Sequence, residues 1–82
     1  MERQEILRTI QDHLESRGID REQVTEKADL AQDLGLDSLD TVELTVGLEE
    51  KLSIEIPDSE LEGVRTVSDA LDLIESKRPV SA

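Results

Sequence analysis

The chain has 82 residues, of which 37% are charged and 35% are hydrophobic, and its net charge is −12. This size predicts one small domain with a small core, and the acidity argues against nucleic acid and anionic membranes as partners and favours basic protein surfaces. The chain contains no cysteine and no aromatic residue, which excludes disulfides, thiolate metal sites and a thiol nucleophile of its own.

The first predicted helix runs from about Arg3 to Arg17. Its apolar stripe is formed by Ile6, Ile10 and Leu14, which recur every four residues. Gly18 follows, and glycine accepts the left-handed backbone conformation that ends many helices. The pattern therefore predicts an amphipathic helix with one face directed at the core.

A short capped turn is predicted at Asp20–Val24, followed by a loop over residues 25–36. The loop is near the upper length limit for a connection without secondary structure, which usually indicates a function. Its apolar residues Leu30, Leu34 and Leu36 are expected to fix it to the core.

The second predicted helix begins at a cap formed by Asp37 or Ser38 and ends near Leu52. A short third helix is predicted after Pro57, and a fourth helix begins at a cap on Thr66. No segment shows strand-like alternation of useful length. The sequence therefore predicts an all-α fold, a small four-helix bundle with three longer helices, one short third helix and a long loop between helices one and two.

The second helix carries two apolar stripes on opposite sides. The inner stripe, expected to face the core, is formed by Leu44, Leu48 and Leu52. The outer stripe, which lies among the carboxylates of this helix, is formed by Leu39, Val42 and Val46. An exposed apolar stripe ringed by acids is typical of a docking surface. The alternative is a central helix buried on both sides, with the acids at its edges.

Ser38 lies in the most acidic part of the chain. Residues 33–62 contain ten carboxylates and one base, Lys51, so this window carries −9 of the total −12. The carboxylates do not match a calcium-binding loop, because Ser38 falls where glycine is required and Leu44 where glutamate is required. We therefore expect no metal site.

Three interpretations of Ser38 are open from the residues alone. It can be a helix N-cap, or a catalytic serine, or a site of covalent attachment. Catalysis is disfavoured because the one histidine is His13, on the first helix, and no Gly-x-Ser-x-Gly elbow is present. We expect no catalytic residue.

Two short blocks of sequence lie on either side of the second predicted helix. The first block is Asp33-Leu34-Gly35-Leu36-Asp37-Ser38-Leu39, and the second, beyond the acidic helix, is Ile56-Pro57-Asp58. Together they resemble the discrete acyl carrier proteins of type II fatty acid synthases, and the resemblance extends from about Ile6 to Ile74. It implies an acyl carrier domain over residues 1–78, which leaves residues 79–82 as a flexible tail.

The resemblance implies that Ser38 carries a covalent phosphopantetheine, donated from coenzyme A by a phosphopantetheinyl transferase. The protein would then hold growing acyl chains as thioesters and pass them between basic-surfaced enzymes of fatty acid synthesis, without being an enzyme itself. The positions that match partner-binding residues of the family, or lie on the outer stripe, are Asp37, Leu39, Asp40, Val42, Glu43, Val46, Glu49, Asp58 and Glu62. We expect a cytoplasmic monomer that binds neither nucleic acid nor membrane.

An acyl chain on the Ser38 arm is expected to enter between the second helix and its neighbours, past Thr45 and Leu48 toward Ile56 and Val64. Gly47 stands where the family commonly has alanine, and glycine costs a helix up to about 1 kcal/mol relative to alanine. Two alternatives remain open. One is a discrete carrier of a polyketide or other specialised pathway, and the other is an unmodified acidic helical interaction module.

Overall fold

The computed structural model describes residues 2–77. This part of the chain contains four α-helices and one 3-10 turn, at Arg21–Gln23; the helices are α1 (Arg3–Glu15), α2 (Ser38–Leu52), α3 (Asp58–Leu61) and α4 (Val67–Glu75). The predicted all-α fold, with its short third helix and long first loop, is confirmed. None of the helices in the described range is long and apolar enough to cross a bilayer. The predicted tail, residues 79–82, lies outside the described residues.

Helix α1 is shorter than predicted, because its last residues leave the α-helical hydrogen-bond pattern. The N–H of Arg17 donates to the carbonyl of Leu14, and that of Gly18 to the carbonyl of Glu15, each at 3.0 Å. These bonds span three residues and tighten the chain into a turn. Gly18 then takes a φ of +92°, as expected for a glycine that ends a helix.

The core lies between α1, α2 and α4. The stripe Ile6, Ile10 and Leu14 of α1 is buried, and so are Leu44 and Leu48 of α2. The α4 side of the core is formed by Val67, Leu71 and Ile74. Burying each such side chain contributes roughly 1.5–3 kcal/mol before entropy costs, so these stripes hold the three longer helices together.

The loop over residues 25–36 is fixed by buried side chains and by a backbone hydrogen bond. Leu30, Leu34 and Leu36 are buried, as predicted. The N–H of Leu30 also donates to the carbonyl of Arg65 at 2.9 Å, just before α4 begins. The loop is therefore anchored to the segment that leads into the fourth helix.

Candidate functional site

The start of α2 is capped by Asp37. Its Oδ1 accepts from the N–H of Asp40 at 2.8 Å, and Oδ2 of Asp40 accepts from the N–H of Asp37 at 3.2 Å. This reciprocal pair is a capping box. The N-cap interpretation of Ser38 is therefore wrong, because Ser38 is the first residue of the helix and the two aspartates supply the cap.

The hydroxyl of Ser38 is available to an external reagent. Ser38 is exposed, and within residues 2–77 its Oγ makes no hydrogen bond. The preceding loop turns through Gly35, whose φ of +69° requires the left-handed conformation that glycine adopts without strain. The N–H of Leu36 donates to the carbonyl of Leu30 at 2.9 Å. A loop held by this hydrogen bond and by buried leucines thus presents a serine oxygen that makes no hydrogen bond within residues 2–77.

His13 does not serve as a base for this serine. The ring of His13 lies against Gly47, which is nine residues beyond Ser38 in the same helix. Nine helical residues span about 14 Å along the axis, far outside hydrogen-bond reach.

The contact between His13 and Gly47 explains the glycine in α2. A Cβ at position 47 would lie 3.0 Å from both Nδ1 and Cε1 of the imidazole. The Nε2 atom of His13 is buried and has no hydrogen-bond partner among the described residues. Burial lowers the pKa of His13, the charges of Arg17 and Lys51 lower it further, and Glu43 opposes them. The folded state therefore favours the neutral imidazole over the protonated one.

The outer stripe is exposed to solvent. Leu39 is 64% exposed, Val42 46% and Val46 47%, whereas Leu44 and Leu48 on the opposite side are buried. The alternative of a central helix buried on both sides is therefore wrong. Three adjacent apolar side chains on one helix face form a surface suited to docking another protein.

The carboxylates predicted to bind partners fall into two groups. In the first group, each side chain is already bonded within the chain. Arg17 contacts Asp40 at 2.9 Å and also pairs with Glu43, and Oε2 of Glu49 accepts from the N–H of Ile56 at 2.9 Å. Glu49 therefore has a structural role that the sequence pattern did not indicate. Within residues 2–77, no three acidic or histidine side chains converge to hold a metal ion.

The second group consists of Asp58 and Glu62, which are exposed and form no ion pair within residues 2–77. They border a surface groove of about 300 Å³ between α2 and α3. The other residues that line this groove are Ser38, Thr41, Val42 and Leu61. The serine, one residue of the outer stripe and two unpaired carboxylates therefore share one opening.

The four residues predicted to contact an acyl chain meet at one internal cavity. Thr45, Leu48, Ile56 and Val64 line a void of about 20 Å³ inside the bundle. The sequence did not predict the remaining lining residues, which are Leu30, Thr41, Leu44, Leu61, Ala70, Leu73 and Ile74. Thr41 had a detectable signal, since it lies one helical turn before Thr45 on the same face. A void of this size holds about one water-sized group, so a longer occupant must part the side chains.

Comparison with known proteins gives concordant results. Residues 4–74 match the family described as a phosphopantetheine attachment site. A protein of Guillardia theta named acyl carrier protein is 46% identical over 78 residues, which cover 94% of this chain and 96% of the relative. A protein of Saccharopolyspora erythraea with the same name is 47% identical over 74 residues, which cover 89% of this chain and 78% of the relative.

Proposed function

The chain belongs to the phosphopantetheine attachment-site family of acyl carrier proteins, and we propose that Ser38 is the residue to which its phosphopantetheine is attached. One observation carries this proposal: Ser38 has an exposed hydroxyl free of hydrogen bonds to residues 2–77, at the start of a helix that its neighbours already cap. When bound, the group supplies a terminal thiol, on which an acyl chain is held as a thioester.

Attachment requires that the Ser38 oxygen form a bond to phosphorus. Coenzyme A supplies the phosphopantetheine, the phosphorus–oxygen bond to its adenosine bisphosphate portion breaks, and the Ser38 proton passes to a base. The chain's one histidine lies too far away to act as that base. Asp37 and Asp40 beside Ser38 are occupied by the helix cap, and we propose that the transferase supplies the base while Ser38 contributes the attacking oxygen.

The enzymes that act on this carrier are proposed to dock on the outer stripe. Leu39, Val42 and Val46 offer apolar contact, and Asp58 and Glu62 offer unpaired charge for a basic surface. The transferase and the enzymes of fatty acid synthesis are the proposed partners. The strongly acidic character of the second helix supports the fatty acid pathway, and a monomer in the cytoplasm is the form in which we propose that it works.

The test is the intact mass of the protein after incubation with coenzyme A and a phosphopantetheinyl transferase of broad specificity. Wild type should gain one phosphopantetheine and Ser38→Ala should gain none. Ser59→Ala is the matched control, because Ser59 is another exposed serine, in α3, and should leave the gain unchanged.

Ser38→Ala should remain folded, so that its loss of modification can be interpreted. The cap bonds run between Asp37 and Asp40, and a surface substitution away from such features changes the free energy of unfolding by about 0.5 kcal/mol or less. Circular dichroism should therefore show unchanged helix content. A mass gain that persists in Ser38→Ala, or that never occurs in wild type, would contradict the proposal.

A further inference from the structure

One basic side chain occupies part of the acidic surface of α2. Arg17, in the turn after α1, places Nη2 2.9 Å from Oδ1 of Asp40 and pairs through Nη1 with Glu43. We infer that Arg17 is a specificity-determining residue that competes with basic partner enzymes for these two carboxylates. This inference rests on the proposed function, since it concerns the partners of the carrier.

The position of Arg17 is fixed by its backbone. Its N–H donates to the carbonyl of Leu14 at 3.0 Å, and Gly18 turns the chain immediately afterwards. Asp40 and Glu43 are three residues apart in α2, so they lie side by side on adjacent turns. A planar guanidinium can bridge two such carboxylates, as a lysine ammonium cannot do with the same geometry.

Both carboxylate oxygens of Asp40 already have a partner within the chain. Its Oδ1 meets Arg17, while its Oδ2 accepts from the N–H of Asp37 at 3.2 Å. A basic partner that approaches Asp40 therefore competes either with Arg17 or with the cap of α2. Only the first of these leaves the helix intact.

The Arg17 contacts are weak enough to be exchanged. The side chains of Arg17, Asp40 and Glu43 are 37%, 26% and 44% exposed, respectively. Exposed ion pairs are only marginally stable, because water and salt compete for the same charges. A lysine or arginine of a partner can therefore replace Arg17, but association is slowed while both compete for the carboxylates.

The competition defines the kind of partner that this surface fits. Asp58 and Glu62 beside α3 form no ion pair within residues 2–77, so a partner whose basic residues lie over α3 meets free carboxylates. A partner whose basic residues lie over Asp40 and Glu43 has to compete with Arg17 for these carboxylates. The surface therefore favours enzymes that place positive charge over α3 and apolar contact over Val42.

The test compares Arg17→Ala with Arg21→Ala. Arg21 is a matched control because it also bridges two acids, Asp12 at 2.6 Å and Glu15 at 3.4 Å, and both belong to α1. Removing either arginine changes the net charge by the same amount, so the contribution of net charge to association is matched. The measured quantity is the association rate of the unmodified protein with a phosphopantetheinyl transferase, at low salt and without coenzyme A.

Arg17→Ala should associate about two- to tenfold faster than Arg21→Ala, the range expected when one or two exposed ion pairs cease to compete. The difference should shrink at high salt. Arg17→Lys should lie between wild type and Arg17→Ala, because an ammonium holds the two carboxylates less well. Adding Glu43→Gln to Arg17→Ala should remove most of the gain, because one of the released carboxylates is then absent.

Equal association rates for Arg17→Ala and Arg21→Ala would overturn the role of Arg17 while leaving the modification of Ser38 intact. Circular dichroism of each variant shows whether the bundle is retained, and Arg17→Lys tests the same competition with a smaller structural change. If coenzyme A and the transferase add no mass to wild type or to any variant, the proposed function fails, and this inference fails with it.

Discussion

The two flanks of α2 are closed to different degrees. On the flank toward α1, the ring of His13 lies against Gly47, and Arg17 bridges Asp40 and Glu43. On the flank toward α3, a groove of about 300 Å³ remains open beside Ser38. The side of α2 that faces α1 is thus covered by the imidazole of His13 and the guanidinium of Arg17, whereas the side that faces α3 remains accessible. Attachment, docking and acyl entry are therefore expected on the α3 flank.

The largest expected effect is on the melting temperature. It tests whether the side chains on the α3 flank can part to admit an acyl chain. An octanoyl chain on the Ser38 arm should enter the bundle beside Thr45 and Leu48 and raise the melting temperature above that of the unacylated, phosphopantetheine-bearing form. About six methylenes would contribute roughly 5 kcal/mol, from which the cost of enlarging a void of about 20 Å³ is subtracted. Each 1 kcal/mol that remains should raise the midpoint by about 4–8 °C.

The control for this prediction places the same bulky residue inside and outside the cavity. Leu48→Trp fills the route and should abolish the rise, whereas Leu39→Trp lies on the exposed outer stripe and should preserve it. Because tryptophan can itself destabilise a core, the relevant quantity is the difference between acylated and unacylated forms of each variant. A wild type that melts equally with and without octanoyl would show that the chain stays outside.

A smaller effect is expected at the closed flank, from Gly47→Ala. Alanine favours the helix by up to about 1 kcal/mol over glycine, but the new Cβ would lie 3.0 Å from two ring atoms of His13. We expect the single substitution to be neutral or destabilising in urea denaturation. In a His13→Ala background the same substitution should stabilise, because the ring is gone. Stabilisation of equal size in both backgrounds would mean that the ring does not close this flank.

The smallest effect concerns pH. In the folded state, burial and the positive charges of Arg17 and Lys51 lower the pKa of His13, and the negative charge of Glu43 partly opposes them. As the pH falls, the unfolded chain therefore binds a proton at His13 before the folded chain does. The free energy of unfolding should therefore fall as the pH drops through about 6.5, and level off below the folded pKa. The contribution of Asp69 does not interfere. Hydrogen bonds from the backbone N–H groups of Arg65 and Thr66 lower the pKa of Asp69. Its contribution to the free energy of unfolding is therefore lost only at more acidic pH.

Denaturation of His13→Gln over the same pH range provides the comparison, since glutamine does not titrate. The wild type should lose stability relative to this variant between about pH 7.5 and 5.5. Parallel profiles for the two proteins would show that His13 titrates alike in the folded and unfolded chains.

Most of the fold could be predicted because its signals are local. The cap of α4 is the clearest case, since Thr66 and Asp69 three residues later bond reciprocally in the structure. The two stripes of α2 could likewise be assigned from helical geometry. The start of α2 was ambiguous because aspartate and serine are both favoured N-caps.

The contacts that seal the α1 flank could not be predicted in this way. They depend on how α1 and α2 are placed relative to each other, which no short segment of sequence encodes. Arg17 and Asp40 are 23 residues apart, and His13 and Gly47 are farther apart still. The hydrogen bond from Ile56 to Glu49 similarly depends on the path of the chain after α2 ends. The predicted partner acids therefore included residues that are already committed within the fold.

The capping box at Asp37 and Asp40 has a consequence for the proposed modification of Ser38. Because these aspartates hold the first turn of α2, the serine between them contributes little to the folding equilibrium. A substituent added to or removed from its oxygen then leaves the helix start unchanged, unless it makes new contacts elsewhere. The first turn of α2 is therefore expected to keep the same stability before and after phosphopantetheine is attached at Ser38, so a change in melting temperature on acylation would come from contacts of the acyl chain itself.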